Sequence, residues 1–84
     1  MLTSIQNPKI QWVRALLSEK KERKEHRAFV CEGIRLAEEV IQSHQQPLLA
    51  LYNSSLLSER GKQLLANCEC EKIEIDSSLL GRIT

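Results

Sequence analysis

The fold can be worked out from residues 27–39, which read RAFVCEGIRLAEE. Residues 29–31 in this stretch form an apolar run with the length of a short buried strand. After Gly33 the period changes, because apolar residues recur on one side of a helix at Leu36, Ala37, Val40 and Ile41. The stretch therefore predicts a first strand over 28–32, a glycine hinge, and a helix over about 33–43.

Gly33 marks the point where this strand and this helix meet. Glycine lets the backbone turn sharply and lets another group approach the first amides of the helix. Those amides have no partner inside the helix and lie at the positive end of its dipole, so they favour an anion. Arg35, in the first turn, can close over such an anion. We therefore predict an anion-binding hinge, with phosphate as the expected anion if the partner is a nucleic acid.

A first helix precedes this stretch and begins at Asn7-Pro8, since asparagine is a good N-cap and proline suits the first helical position. Its buried face carries Ile10, Val13, Leu16 and Leu17. We expect the helix to end near Ser18. Residues 19–27 follow with the sequence EKKERKEHR, which has no apolar side chain and is predicted to be a solvated turn or an exposed helix end.

The second half of the chain continues the alternation of helices and strands. Residues 48–52 are apolar throughout, which predicts a strand buried on both faces, as in parallel sheets. Residues 53–55 are predicted to cap the start of a third helix. Gly61 in this helix either weakens it or allows close packing. The inward residues of the helix are Leu56, Leu57, Leu64 and Leu65. Residues 71–75 alternate as a half-covered strand, and 76–78 cap a last helical turn. This order predicts a small three-layer α/β/α sandwich.

Positive charge is concentrated at the amino-terminal end of the 84-residue chain. Residues 1–27 carry seven lysines and arginines against three glutamates, whereas the remainder carries five against eight acidic residues. Such polarity suggests that one end of the domain faces a polyanion. An odd number of cysteines and an opening unlike a signal peptide predict a cytoplasmic protein with reduced thiols. No apolar run approaches the ~20 residues of a membrane span, so we expect no membrane association.

Three motifs in a fixed order carry a family resemblance. The segments TSIQNPKI at 3–10, KKERK at 20–24 and FVCEGIRLAEE at 29–39 resemble the N-terminal substrate-binding domain of the SpoU (TrmH-type) RNA 2'-O-ribose methyltransferases. The resemblance covers about the first half of the chain, and the second half matches in its pattern of helices and strands. It implies a fold like that of ribosomal proteins that bind kinked RNA turns, with a chain that ends before the last strand of such domains.

The resemblance also implies a function for the parent protein. This domain would hold ribosomal or transfer RNA, while a separate catalytic domain, C-terminal to it, would bind S-adenosylmethionine and form a homodimer. By itself the 84-residue chain is expected to bind no cofactor and to be catalytically silent. The expected RNA-binding residues are Asn7, Lys9, Lys20, Lys21, Arg23, Lys24, Arg27, Glu32, Gly33 and Arg35. Two interleaved acids, Glu22 and Glu25, would weaken this basic surface.

Other interpretations of the same residues remain open at this point. The domain is alternatively a free-standing kink-turn RNA-binding protein of the ribosomal type, or a protein-interaction module without an RNA role. Glu32 either orients Arg35 or an RNA hydroxyl, or stabilises the following helix electrostatically. Trp12 either stacks on a base or covers the edge of the core. Residues 68–70, Cys-Glu-Cys, lack the usual spacing of a zinc site, so no metal is expected.

Overall fold

The computed structural model describes residues 1–83. In chain order, the elements in this range are α1 (Pro8–Ser18), α2 (Lys20–His26), α3 (Ile34–Gln42), β1 (Leu49–Tyr52), a 3-10 turn (Ser54–Leu56), α4 (Glu59–Asn67), β2 (Glu71–Glu74) and α5 (Ser77–Ile83). The predicted α/β class is thereby confirmed. Over residues 1–83, no helix combines the length and the apolar character that crossing a membrane requires.

The sheet consists of β1 and β2, which run parallel with Leu49 opposite Glu71 and Tyr52 opposite Glu74. Just past β2, the Ile75 amide donates to the Tyr52 carbonyl at 2.8 Å. The amino-terminal lead-in covers the other edge of this strand, because Leu2 forms a parallel bridge with Ile75. Two hydrogen bonds of 2.9 and 2.8 Å hold that bridge. Around Ile75, the backbone therefore has hydrogen-bonded partners on both sides, at Tyr52 and at Leu2.

The hydrophobic core lies between the sheet and the helix pair α1–α5. Its buried members are Ile10, Val13, Ile75, Leu79 and Ile83. The sheet contributes Leu49, Leu51 and Ile73 to the edge of this core. The period of the first helix predicted this face, and its start is confirmed, because the Asn7 side chain accepts a hydrogen bond from the Lys9 amide at 2.9 Å.

A second helix pair, α3 and α4, packs around Gly61. A Cβ atom at this position would lie 2.9 Å from the Leu57 Cδ2 atom and 3.1 Å from the Ile34 Cδ1 atom. An ion pair also joins the two helices, with Arg60 Nε donating to Glu38 Oε2 at 3.0 Å. Of the two readings of this glycine, the structure selects the close-packing position.

Two carboxylates stabilise the region where β2 leads into α5. Asp76 caps the helix by accepting from the Ser78 amide at 3.1 Å and from the Ser78 hydroxyl. The hydrogen bonds from Ser78 hold the pKa of Asp76 below its ordinary value. Glu74 accepts from the amide and the hydroxyl of Ser54, and these bonds lower the pKa of Glu74 in the same way. The predicted cap of the last helix is confirmed.

The predicted first strand over 28–32 is wrong, because this segment forms neither strand nor helix. A strand exists only when its backbone groups pair with a neighbouring chain. At β2, the edge away from β1 is bridged by Leu2 instead. Left-handed backbone at Arg27 (φ 51°) and at Gly33 (φ 88°) bounds the segment. Within it, Val30 packs against the core, whereas Phe29 is 59% exposed.

Two further predictions need correction. The strand at β1 is real, but its residues are half-buried rather than covered on both faces, since a two-stranded sheet offers little protection. The helix predicted to follow the caps at 53–55 is α4, and it begins later than expected, at Glu59, with the Ser58 hydroxyl as its N-cap. Leu56 therefore lies outside that helix, in the 3-10 turn, and is exposed.

Candidate functional site

The charged run after the first helix forms the short helix α2, and its solvent side carries three lysines. These residues, Lys20, Lys21 and Lys24, are all exposed and are called the lysine face below. Lys20 and Lys24 are neighbours at positions i and i+4, and Lys21 lies about 100° around the helix axis from Lys20, on the same exposed half of the helix. One acid shares this side, since Glu25 Oε1 lies 3.9 Å from the Lys21 Nζ atom. The lysine face therefore keeps a net positive charge.

The opposite side of α2 packs against α1. The rings of His26 and Trp12 meet edge to face, with their centroids 6.0 Å apart. Glu22 is half-buried on this side and lies 3.2 Å from the His26 Nε2 atom. Of the two acids expected to weaken the basic surface, only Glu25 lies beside the lysines. The contact also shows that Trp12 packs where α1 and α2 meet.

Arg23 connects the end of α1 to α2. Its Nη1 atom donates to the Leu16 carbonyl at 2.7 Å and to the Leu17 carbonyl at 3.3 Å. Carbonyls in the last turn of a helix have no partner inside the helix, so this guanidinium satisfies them. The structure thus separates Arg23 from the lysine face and gives it a structural contact. The helical period alone does not reveal this division, because it depends on which side of α2 faces α1.

The hinge before α3 is open to solvent. Gly33 is the N-cap of this helix, with φ 88° and ψ 154° and no side-chain cap. A Cβ atom placed there would have no neighbour within 4 Å. Glu32 and Arg35 flank the hinge and are exposed. Among residues 1–83 the two form no ion pair with each other, so the structure does not support an orienting role of Glu32 for Arg35.

The remaining predicted RNA-binding residues occupy different positions. Arg27 is exposed, ends α2 in a left-handed conformation and donates its amide to the Arg23 carbonyl. Asn7 caps α1, and Lys9 forms an ion pair with Glu71 of β2. This pair offsets the charge of Lys9. The structure therefore brings the three lysines together on α2, and places Asn7 and Lys9 at the start of α1.

The cysteine pair near the end of α4 forms a contact that the sequence did not predict. The Sγ atoms of Cys68 and Cys70 lie 3.2 Å apart, and both are free thiols. Burial and the neighbouring thiol raise the pKa of Cys70 to about 11, so the group is neutral at pH 7. Within residues 1–83, no cluster of three or more potential metal ligands is present.

Comparison with known proteins identifies the class of this domain. The fold is that of a small α/β domain. A model of the MRM3-like substrate binding domain matches residues 7–84. The chain belongs to this family, and the resemblance found in its first half is confirmed. A comparison with curated proteins gave no match.

A solved structure supports the same fold over nearly the whole chain. The crystal structure of an rRNA methyltransferase from Sinorhizobium meliloti matches with a TM-score of 0.74 at 24% sequence identity. The match covers 98% of this chain and 30% of that protein. The chain thus has the fold of one part of a protein about three times its length.

Proposed function

We propose that this domain binds RNA and positions it for a separate methyltransferase domain. Membership of a substrate-binding family supports a binding role. The lysine face is the observation that favours RNA as the substrate. Three lysines with one neighbouring acid form a local positive field that attracts a phosphate chain. The similar protein from Sinorhizobium meliloti is an rRNA methyltransferase, which favours ribosomal RNA over transfer RNA.

The hinge supplies a second contact for the same RNA. The unpaired amides that follow Gly33 lie at the positive end of the α3 dipole, where a phosphate is favoured. Arg35 is exposed in the first turn and can donate two parallel hydrogen bonds to that phosphate. Residues 27–33 connect the lysine face to this hinge and span at most about 25 Å when extended. A single strand of several nucleotides can therefore contact both.

The chemistry that we propose for the parent protein is transfer of a methyl group to a ribose 2'-hydroxyl. S-adenosylmethionine would supply this methyl group and would be bound by the catalytic domain, which would also form the homodimer. The domain described here would contribute affinity and orientation. Proximity of this kind accelerates a reaction because bound substrate no longer has to find the catalytic group by diffusion.

A binding assay with ribosomal RNA fragments tests the RNA-binding role. We expect the wild-type chain to retard such fragments in a gel-shift experiment at low salt, and Arg35→Glu to weaken binding, because the substitution places a negative charge at the hinge. Lys62→Glu is the matched control, since it changes the net charge by the same amount and Lys62 lies on α4, where it is already paired with Glu59 at 3.5 Å. Equal binding by wild type and Arg35→Glu would contradict the proposed hinge contact.

A second assay tests the division of labour. The 84-residue chain should transfer no methyl group from labelled S-adenosylmethionine to RNA. Methyl transfer by this chain alone would overturn the proposed separation of binding and catalysis. If the wild-type chain binds no RNA and charge reversal at Lys20, Lys21, Arg23 and Lys24 leaves every measured activity unchanged, the domain is a protein-interaction module instead.

A further inference from the structure

Among the Phe, Trp and Tyr residues within 1–83, Phe29 is the one that the structure leaves largely exposed. Trp12 and Tyr52 are half-buried, and Trp12 packs against His26. Phe29 instead exposes 59% of its surface, although the neighbouring Val30 packs against the core. The apolar run that predicted a buried strand therefore directs one residue inward and its largest residue outward.

The surroundings of Phe29 separate it from an ordinary exposed apolar side chain. Single apolar residues on a protein surface are common and need no explanation. Phe29, however, lies in the segment that joins the lysine face to the hinge at Gly33. Arg27, two residues earlier, lies at most about 7 Å away along the chain. Two exposed side chains at this separation are close enough for one nucleotide to contact Arg27 through its phosphate and Phe29 through its base.

We propose that Phe29 is a stacking platform for an unpaired RNA base. This inference rests on the proposed RNA-binding function and extends it, because it assigns the domain to single-stranded or bulged RNA. Bases in such regions can leave the helical stack and lie on aromatic side chains, whereas a duplex hides their faces. Stacking also tolerates any base, since every base has a π-face.

Charge favours RNA over a protein as the partner of this ring. The segment follows the lysine face, begins at an exposed arginine and ends at a helix N-terminus, so it is flanked by groups that attract anions. RNA presents phosphates and bases in alternation along one strand and matches this arrangement of cations and ring. An apolar protein surface would leave the cations without partners.

The first experiment measures binding of a labelled single-stranded oligoadenylate of about 12 nucleotides by fluorescence anisotropy. We expect Phe29→Ala to raise the Kd by roughly 5- to 150-fold, the range found when a stacking aromatic residue is removed. Phe29→Tyr should bind within about two-fold of wild type, and Phe29→Leu should bind more weakly than Phe29→Tyr. Leu48→Ala and Leu56→Ala are matched controls, because both residues are 64% exposed apolar side chains outside the segment.

The second experiment repeats the series with an abasic oligomer of the same length, which keeps the phosphates and lacks the bases. The effect of Phe29→Ala should disappear, whereas removal of the three lysines should still weaken binding. An undiminished effect of Phe29→Ala on the abasic oligomer would overturn the stacking proposal. Circular dichroism identifies any variant that fails to fold. If Phe29→Ala fails to fold, the difference in affinity between Phe29→Tyr and Phe29→Leu tests the stacking role instead.

These results separate failure of the inference from failure of the proposed function. If the wild-type chain binds no RNA at low salt, the proposed function is contradicted and the stacking role with it. If the three lysines matter and Phe29→Ala binds like wild type, only the stacking role is overturned. Light scattering tests whether Phe29 instead contacts a second copy of this chain. Self-association of the wild type that Phe29→Ala abolishes, with unchanged RNA affinity, would also overturn the stacking role.

Discussion

The core and the basic segment use their residues in opposite ways. The core places Ile10 and Ile75 completely out of solvent, and Leu79 and Ile83 nearly so. Residues 20–35, by contrast, contain no fully buried side chain, although they include a helix, a segment that is neither helix nor strand, and the start of α3. Folding free energy is therefore concentrated in the first region, while charge and an aromatic ring are exposed in the second. The difference teaches that stability and RNA binding should respond to different substitutions.

The largest effect is expected in the core. Leu79→Ala should lower the free energy of unfolding by about 2–5 kcal/mol, because it removes buried methyl groups and leaves a cavity. In a domain of this size, that is a large part of the total stability. Urea denaturation followed by circular dichroism measures the change. Leu56→Ala, at a 64% exposed position, should change it by less than about 0.5 kcal/mol. Equal losses in the two variants would contradict the concentration of folding free energy in the core.

Gly33 is the point in the basic segment where backbone conformation should affect stability. Gly33→Ala should cost about 1–3 kcal/mol, because φ 88° and ψ 154° suit glycine and strain any residue with a Cβ atom. Crowding by residues beyond the two chain neighbours cannot contribute, since none of their atoms lies within 4 Å of the Cβ position. Gly81→Ala is the control, because it lies inside α5 with equal space and should stabilise the helix by up to about 1 kcal/mol. A neutral Gly33→Ala would show that the hinge adopts another conformation.

Arg23 and Lys24 are sequence neighbours that should behave differently. Arg23→Ala should lower the free energy of unfolding by about 1 kcal/mol, because the carbonyls of Leu16 and Leu17 lose a donor. Lys24→Ala should leave stability within about 0.5 kcal/mol and weaken RNA binding instead. Denaturation and gel-shift experiments on both variants test the pair. The opposite pattern would mean that the two sides of α2 have been wrongly assigned.

The smallest effect concerns pH. Asp76 and Glu74 have lowered pKa values in the folded state, so their contribution to stability is present above their ordinary pKa values and is lost on acidification. The free energy of unfolding should therefore be constant near neutral pH and fall below about pH 4.5, the ordinary glutamate value. On acidification, Asp76→Asn should lose less free energy of unfolding than the control Glu69→Gln, which changes an exposed acid. Identical pH profiles would contradict the capping role.

The sequence predicted those elements whose signals are local. Asn7-Pro8 and the helical period gave α1, and Asp76 with the two serines after it gave the start of α5. The strand over 28–32 failed because pairing depends on a distant partner. The edge of β2 away from β1 meets Leu2, and nothing in the pattern near residue 2 indicates this bridge.

The same distinction applies to the site. Composition identified the basic run and the open hinge at Gly33, since charge and glycine content can be read directly from the sequence. It did not separate Arg23 from the lysines, because that division depends on which side of α2 faces α1. The exposure of Phe29 was also missed, since an apolar run alone does not show which of its residues face the core.

The salt dependence of RNA affinity tests the role of the lysine face most directly. If four or five cations contact phosphates of a single strand, the logarithm of the association constant should fall with the logarithm of salt concentration at a slope of about −3. The triple variant Lys20→Gln, Lys21→Gln, Lys24→Gln should have a slope shallower by about 2, with unchanged stability. A salt-independent affinity, or the same slope in both proteins, would contradict the assignment of the lysine face as the RNA-binding surface.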